Sequence, residues 1–235
     1  METSQKIIKA FCETENVFTI GPKVTTSNRV TPVYPDIRRV FSDPRSLRVI
    51  CQEMKKFIEK NKIKFDFILG GATAGTSVAA VLGQLMNKPS GYVRKEPKEG
   101  GMGLAVEGNW KKGMKVLLVD DCIGHGAAKT KFIENIRKAG LKIDWVIVPF
   151  SRTTTGKSGK ECTAWVKPLK VKFQSFGDLY DMIEYSLKHK IITEEAYYLL
   201  KWYADDAMNW NKDKKKWQYF QNYLKKKKHN SKSGV

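Results

Sequence analysis

Val116-Leu-Leu-Val-Asp-Asp-Cys-Ile-Gly-His-Gly-Ala-Ala128 is the stretch on which the fold turns. Its four leading apolar residues read as a buried strand. The strand delivers the chain to Asp120-Asp121. A glycine turn, Gly124-His125-Gly126, follows, and the pattern predicts a helix over Ala127–Ala139 with Gly140 as its stop. Each part has a physical use. Glycines let backbone N–H groups come close to an anion, and a helix N-terminus adds the positive end of its dipole. That combination suits a monoester phosphate. Two adjacent carboxylates at a strand end suit ribose hydroxyls, met directly or through Mg2+, a hard cation that takes oxygen ligands and keeps its waters. The turn is not a Walker A loop, since G-x-x-x-x-G-K-[ST] does not occur.

Outward from this stretch, strands and helices alternate. Phe65–Leu69 is an apolar run ending in Gly70-Gly71, read as a buried strand entering a tight loop. Residues 76–86 read as a helix, Gly91–Arg94 as a strand, Lys115–Val119 as the strongest buried strand and Trp145–Phe150 as another. This rhythm predicts an α/β domain with a mostly parallel central sheet flanked by helices. In such sheets ligands sit at the carboxyl ends of the strands. Toward the N-terminus, residues 4–16 form an amphipathic helix pattern with Ile7, Ile8, Phe11 and Cys12 on one face. Residues 17–41, with Pro22, Pro32 and Pro35, read as short strands or a hairpin. Ser42-Asp43-Pro44 announces a further helix, a cap followed by proline in the first turn, with a stripe of Leu47, Ile50, Met54 and Phe57.

The 235 residues are 41% apolar and 29% charged, which reads as soluble and globular. No apolar run approaches the roughly 20 residues that a membrane span needs. The N-terminus has no signal-peptide stretch, so a cytoplasmic location without membrane contact is expected. Cys12, Cys51, Cys122 and Cys162 are scattered and set up no zinc spacing; Cys12 and Cys51 read as core residues. A net charge of +19 implies an anionic partner: nucleic acid, a membrane surface or a polyanionic small substrate. After about residue 178 aromatics and lysines dominate, and three short helices are expected. Residues 212–229 hold eight lysines and one aspartate, with Trp217, Phe220 and Leu224 at helical spacing. Either these three pack an amphipathic helix on the domain, or the tail tracks a nucleic-acid backbone and stacks bases. The chain is thus divided into a domain over 1–177, with a hood over about 1–41, and a basic helical extension over 178–235.

The central stretch resembles the phosphoribosyl-pyrophosphate (PRPP) signature of type I phosphoribosyltransferases. Arg94-Lys95-Glu96-Pro97-Lys98-Glu99-Gly100 resembles the mobile catalytic loop of the orotate phosphoribosyltransferases, and Val106-Glu107-Gly108 its far end. Arg29–Arg38 followed by Ser42-Asp43-Pro44 is similar to their hood segment, and the likeness runs over roughly residues 4–175. The resemblance implies the type I phosphoribosyltransferase fold, with a small N-terminal hood. It implies a reaction joining a nitrogenous base, orotate in that branch, to PRPP with loss of pyrophosphate. A related transferase for another base, or a non-catalytic nucleotide- or nucleic-acid-binding protein on the same fold, are the alternatives. It further implies Asp120 and Asp121 on the ribose and on Mg2+, with Lys98 completing the catalytic set. Cys122, Ile123, Gly124, His125, Gly126, Ala127 and Ala128 would cradle the 5-phosphate. Gly70, Gly71, Ala72 and Thr73 would form the pyrophosphate loop, joined by Arg94 and Lys95. Lys23, Thr26 and Arg152 would meet the base. A homodimer with shared sites is implied as well. The chain departs from the family pattern at Gly124, where Thr is usual, and at Ala127, where Ser or Thr is usual.

Overall fold

Period-two alternation builds the centre of the molecule. In the strand Lys115–Val119 (β6), Leu117 and Val119 face one hydrophobic cluster, while Val116 and Leu118 face another. The same split runs through Phe67–Gly71 (β3), where Ile68 faces the first cluster and Phe67 and Leu69 face the second. A strand apolar on both faces must be covered on both, and helices do so here. The computed structural model describes residues 2–24, 30–97, 104–124, 126–152, 166–207 and 209–232.

The remaining strands, in chain order, are Phe18–Val24 (β1), Val30–Pro35 (β2), Ser90–Val93 (β4), Val106–Glu107 (β5), Cys122–Ile123 (β7), Lys142–Val148 (β8), Phe150–Ser151 (β9) and Lys172–Ser175 (β10). The α-helices are Thr3–Glu13 (α1), Pro44–Lys60 (α2), Gly75–Met86 (α3), Ala127–Lys138 (α4), Leu179–Lys188 (α5), Glu194–Asp205 (α6) and Lys214–Lys232 (α7). The six-stranded sheet has the order β10-β8-β6-β3-β4-β5. Every pairing in it is parallel except β4 with β5. The chain leaves β3 toward β4 on one side, and later extends from β6 to β8 and β10 on the other. The boundary between β3 and β6 is therefore the switch point of the sheet, where α/β proteins place their ligands.

Helices α1, α2, α3 and α5 supply one cluster, through Phe11, Ile50, Met54, Val78, Met182 and others. Phe132, Ile133 and Ile136 of α4 supply the opposite one. A register shift between Val116 and Leu117 against β8 accounts for Ile143 and Val146 sharing that second cluster although they differ in parity. The cap expected at Asp43 is present: its side chain accepts from the Arg45 N–H at 3.0 Å, with Pro44 next in line. Cys12 and Cys51 are buried core thiols, as expected.

Three expectations need correction. Gly70 and Gly71 are the last residues of β3, paired with Tyr92 and Val93, rather than the start of a loop. Residues 17–41 contain the β1–β2 antiparallel pair, but Ile37–Ser42 forms a 3-10 helix. The third tail helix, α7, is 19 residues long rather than short. The change of composition near residue 178 is no break in the core: Leu179, Met182 and Ile183 of α5 and Leu200 of α6 join the first cluster with Ile7 and Phe11. Farther on, Leu199, Trp210 and Phe220 form their own buried cluster, with Trp202, Trp217 and Leu224 against it. Trp217, Phe220 and Leu224 thus pack.

Candidate functional site

The carboxyl edge of the sheet gathers most of the described residues singled out above. β3 ends at Gly71, β4 at Val93 and β6 at Val119, and beside them β9, of the separate β7–β9 pair, ends at Ser151. Ala72-Thr73, Arg94-Lys95, Asp120-Asp121 and Arg152 follow those ends directly. Arg152 is tied to the glycine turn, because β7 pairs with β9 and the Arg152 N–H donates to the Ile123 carbonyl at 2.7 Å. Lys98, Thr26 and His125 lie outside the described residues, as does the side chain of Lys23.

The turn into α4 has the features of an anion site. Gly126 sits at the helix N-cap with φ 81°, a left-handed value that favours glycine. No side chain caps the helix. The N–H groups of its first turn point out of the helix toward any anion placed there. Where Gly124 could carry a Cβ there is open space, with nothing within 4 Å.

The glycines on the opposite wall serve close approach. A Cβ on Gly70 would lie 2.4 Å from the Gly75 carbonyl oxygen, and one on Gly71 would lie 2.7 Å from Asp120 Oδ2. The β3–α3 loop, which contains a cis Ala72–Thr73 peptide, is therefore drawn tightly over the end of β6.

The two carboxylates differ. Asp120 is buried; its Oδ1 accepts the Asp121 N–H at 2.9 Å and its Oδ2 lies 2.6 Å from the ammonium of Lys129, itself buried. Burial pushes the Asp120 carboxyl up, to about 6, against the opposing pull of Lys129 and with a further push from Asp121. Asp121 is half-buried, and its Oδ1 accepts the Cys122 N–H at 2.7 Å. The oxygens of Asp120 are engaged inside the fold, whereas Asp121 is the more exposed acid of the two. Burial, then the Asp121 charge, pushes the Cys122 thiol up to about 12, so it is neutral and no nucleophile near neutral pH; Arg152 pulls the other way, so its charge is felt at the turn.

Arg94 and Lys95 stand at the end of β4. The Arg94 guanidinium donates to the Tyr92 hydroxyl at 3.0 Å and lies over its ring. Its buried Nε has no hydrogen-bond partner, with Glu107 Oε1 3.7 Å away. A buried unsatisfied donor on a cation suits an anionic ligand. Two residues here escaped the sequence reading. Lys129 is one. The other is Asn135 on α4, whose amide donates one N–H to the Arg94 carbonyl at 2.8 Å and the other to the Lys95 carbonyl at 2.9 Å. Lys129 does carry a signal: it occupies the turn before Phe132 and Ile133 on the buried stripe of α4, where a lysine needs an anionic partner.

Comparisons with known proteins bear on the family and the fold. No family model matches the chain. It is 31% identical over 179 residues to the orotate phosphoribosyltransferase of Pyrobaculum islandicum, spanning 75% of this chain and 90% of that protein. Among solved structures, Leishmania donovani UMP synthase superposes with a TM-score of 0.73 at 26% identity, over 86% of this chain and 42% of that one. The orotate phosphoribosyltransferase of Aeropyrum pernix superposes with a TM-score of 0.63 at 27% identity, over 76% and 98% respectively.

Proposed function

The chain belongs to the orotate phosphoribosyltransferase family, and from that premise we propose that it transfers the phosphoribosyl group of PRPP to orotate, giving a nucleotide and pyrophosphate. The observation that carries this reading is the meeting, at one end of the sheet, of Asp121, the uncapped glycine turn of α4, the β3–α3 loop and the cations that follow β4.

In such a displacement the bond between the ribose C1 and pyrophosphate breaks as a base nitrogen bonds to C1. The ribose passes through an oxocarbenium-like state. The protein's work is placement and charge stabilisation. The first-turn N–H groups of α4, with Cys122–Ala128, would hold the 5-phosphate. Asp121 would accept from the ribose hydroxyls and favour positive charge on the ring. Gly70–Thr73 would line the pyrophosphate, whose growing charge Arg94, Lys95 and Lys98 would neutralise. Arg152, with Lys23 and Thr26 of the hood, would orient the base and its carboxylate.

The donor set fits Mg2+ bound with the substrate. Among the described residues no group of three or more His, Cys, Asp or Glu side chains gathers. A carboxylate such as Asp121 beside substrate phosphates is the kind of shell this ion takes. When bound, it would supply positive charge to the pyrophosphate oxygens.

We assign the chain to a homodimer with shared sites in the cytoplasm. No helix among the described residues is long and apolar enough to cross a membrane. Nucleic-acid contact by the tail would rest on lysines such as Lys214, Lys215 and Lys225, which are exposed, since Trp217, Tyr219, Phe220 and Tyr223 are committed to packing.

The test is consumption of orotate by the purified full chain with PRPP and Mg2+, beside a panel of other bases. Lys98→Ala and Asp121→Asn are expected to abolish it. Transfer that survives in Asp121→Asn would refute the assignment of that carboxylate, and use of another base in place of orotate would refute the substrate.

A further inference from the structure

A lysine in the buried stripe of α4 is costly unless something requires it. Lys129 lies in the first helical turn, where the positive end of the dipole disfavours a cation. It precedes Phe132, Ile133 and Ile136, all of which are buried against the sheet. Its side chain is only 8% exposed, and that of its partner Asp120 only 7%. Their contact, Nζ to Oδ2 at 2.6 Å, is a close charged hydrogen bond.

What surrounds this pair gives it a role. The Asp120 carboxylate is wedged between the two residues that flank the β3–α3 loop: a Cβ on Gly71, the end of β3, would lie 2.7 Å from Oδ2, and one on Gly75, the start of α3, would lie 2.7 Å from Oδ1. Oδ1 also accepts the N–H of Asp121. Four pieces of chain therefore meet at one ion pair: the ends of β6 and β3, the start of α3, and the first turn of α4. In the reading above, these pieces carry the ribose, the pyrophosphate and the 5-phosphate.

We infer that Lys129 is a positioning residue of the PRPP site: by holding Asp120 as an internal ion pair, it locks the β3–α3 loop and α4 to the end of β6 and leaves Asp121 as the sole acid of the pair that meets the ribose. The inference rests on the reading of this edge as a PRPP site. It separates two carboxylates that the sequence motif presents as equivalent. Asp120 sets distances between subsites, and its negative charge is balanced from inside the protein rather than by a bound metal ion.

A double-mutant cycle on the full chain tests this. Lys129→Met leaves a buried carboxylate without its cation, and the melting temperature of the free protein should fall by about 6–20 °C. Lys129→Met with Asp120→Asn replaces the pair by neutral groups of similar size. This double variant should recover most of that loss. It should also keep PRPP-dependent transfer, with kcat within about threefold of the parent and the change confined to a severalfold rise in KM for PRPP. Asp121→Asn should lose kcat in the same assay. Raising of the melting temperature by PRPP with Mg2+ is measured for every variant as a readout independent of turnover, and the double variant should retain it.

A double variant that folds like the parent but loses transfer or PRPP stabilisation as fully as Asp121→Asn would overturn the inference, because Asp120 would then act on the substrate itself. A Lys129→Met protein with unchanged melting temperature and unchanged KM would overturn it as well. If the parent protein raises its melting temperature with PRPP but consumes no base, the transferase reading fails and the cycle still decides the role of Lys129. If the parent does not respond to PRPP at all, the site reading fails, and the inference falls with it.

Discussion

Replacing Gly75 by alanine sets two physical effects against each other. Gly75 opens α3. Alanine is the better helix former by about 1 kcal/mol in a helix interior, and by less at the first position. On propensity alone the substitution should stabilise. Packing predicts the reverse. A Cβ at this position would lie 2.7 Å from Asp120 Oδ1, 2.8 Å from the Val119 carbonyl oxygen and 2.9 Å from Asp120 Cα. Two of these atoms are backbone of the central strand or its continuation and cannot rotate aside. Relief requires α3 and its loop to back away from β6, by roughly half an ångström or more. Overpacking of this kind costs about 1–3 kcal/mol. Packing therefore wins, with a net loss of about 1–2 kcal/mol and a melting temperature about 2–8 °C lower. A shift on the order of 1 Å at a wall of the site should also cut kcat/KM for PRPP by up to about 100-fold. Gly124→Ala is the control. Its Cβ meets nothing within 4 Å, so it should leave the melting temperature unchanged or slightly raised through loss of unfolded-state freedom. Calorimetry of the two variants beside the parent decides. A Gly75→Ala protein as stable as the parent, or a Gly124→Ala protein equally destabilised, would refute the close-approach argument.

The same site yields further expectations. Asn135→Ala removes two hydrogen bonds of about 1 kcal/mol each from the carbonyls of Arg94 and Lys95. The melting temperature should drop by roughly 4–8 °C and KM for PRPP should rise; thermal unfolding and steady-state kinetics check both. Gly124→Thr puts a hydroxyl into open space beside the uncapped end of α4. One new hydrogen bond to a phosphate should lower KM for PRPP by about tenfold, and a KM that stays the same or rises would count against a phosphate at this turn. Changing Lys214, Lys215 and Lys225 to Glu leaves the Trp210–Phe220 cluster in place. It should abolish any salt-sensitive retention on RNA or DNA while leaving orotate consumption intact; retention that persists removes the tail from nucleic-acid binding.

What the sequence made legible follows the physics of burial. β6 could be read to its ends because four successive apolar residues stand between Lys115 and Asp120, and a strand covered on both faces has no other pattern. The cap at Asp43 and the apolar stripe of α2 were legible for the same local reasons. β10 was not: Lys172-Phe-Gln-Ser pairs on one side only, at a sheet edge, and has no apolar run. Gly70 and Gly71 look like loop residues because glycine usually marks one, whereas here they stay in the strand to let Gly75 and Asp120 come close. The compositional change near residue 178 reflects the solvent-facing side of the following helices; the buried side of α5 and α6 continues the same core, and α7 packs on a cluster of its own. Within the site, Asp120-Asp121 and the glycine turn were visible because they are contiguous. The pairing of Asp120 with Lys129, and of Asn135 with the β4 end, depends on contacts that only the fold creates.

The most direct test is the reaction itself, followed by phosphorus NMR on the purified full chain with PRPP, Mg2+ and orotate. The account predicts that PRPP signals are replaced by those of pyrophosphate and a nucleotide monophosphate in equal amounts, only when orotate is present. PRPP that binds, raising the melting temperature, yet stays intact beside orotate would contradict it.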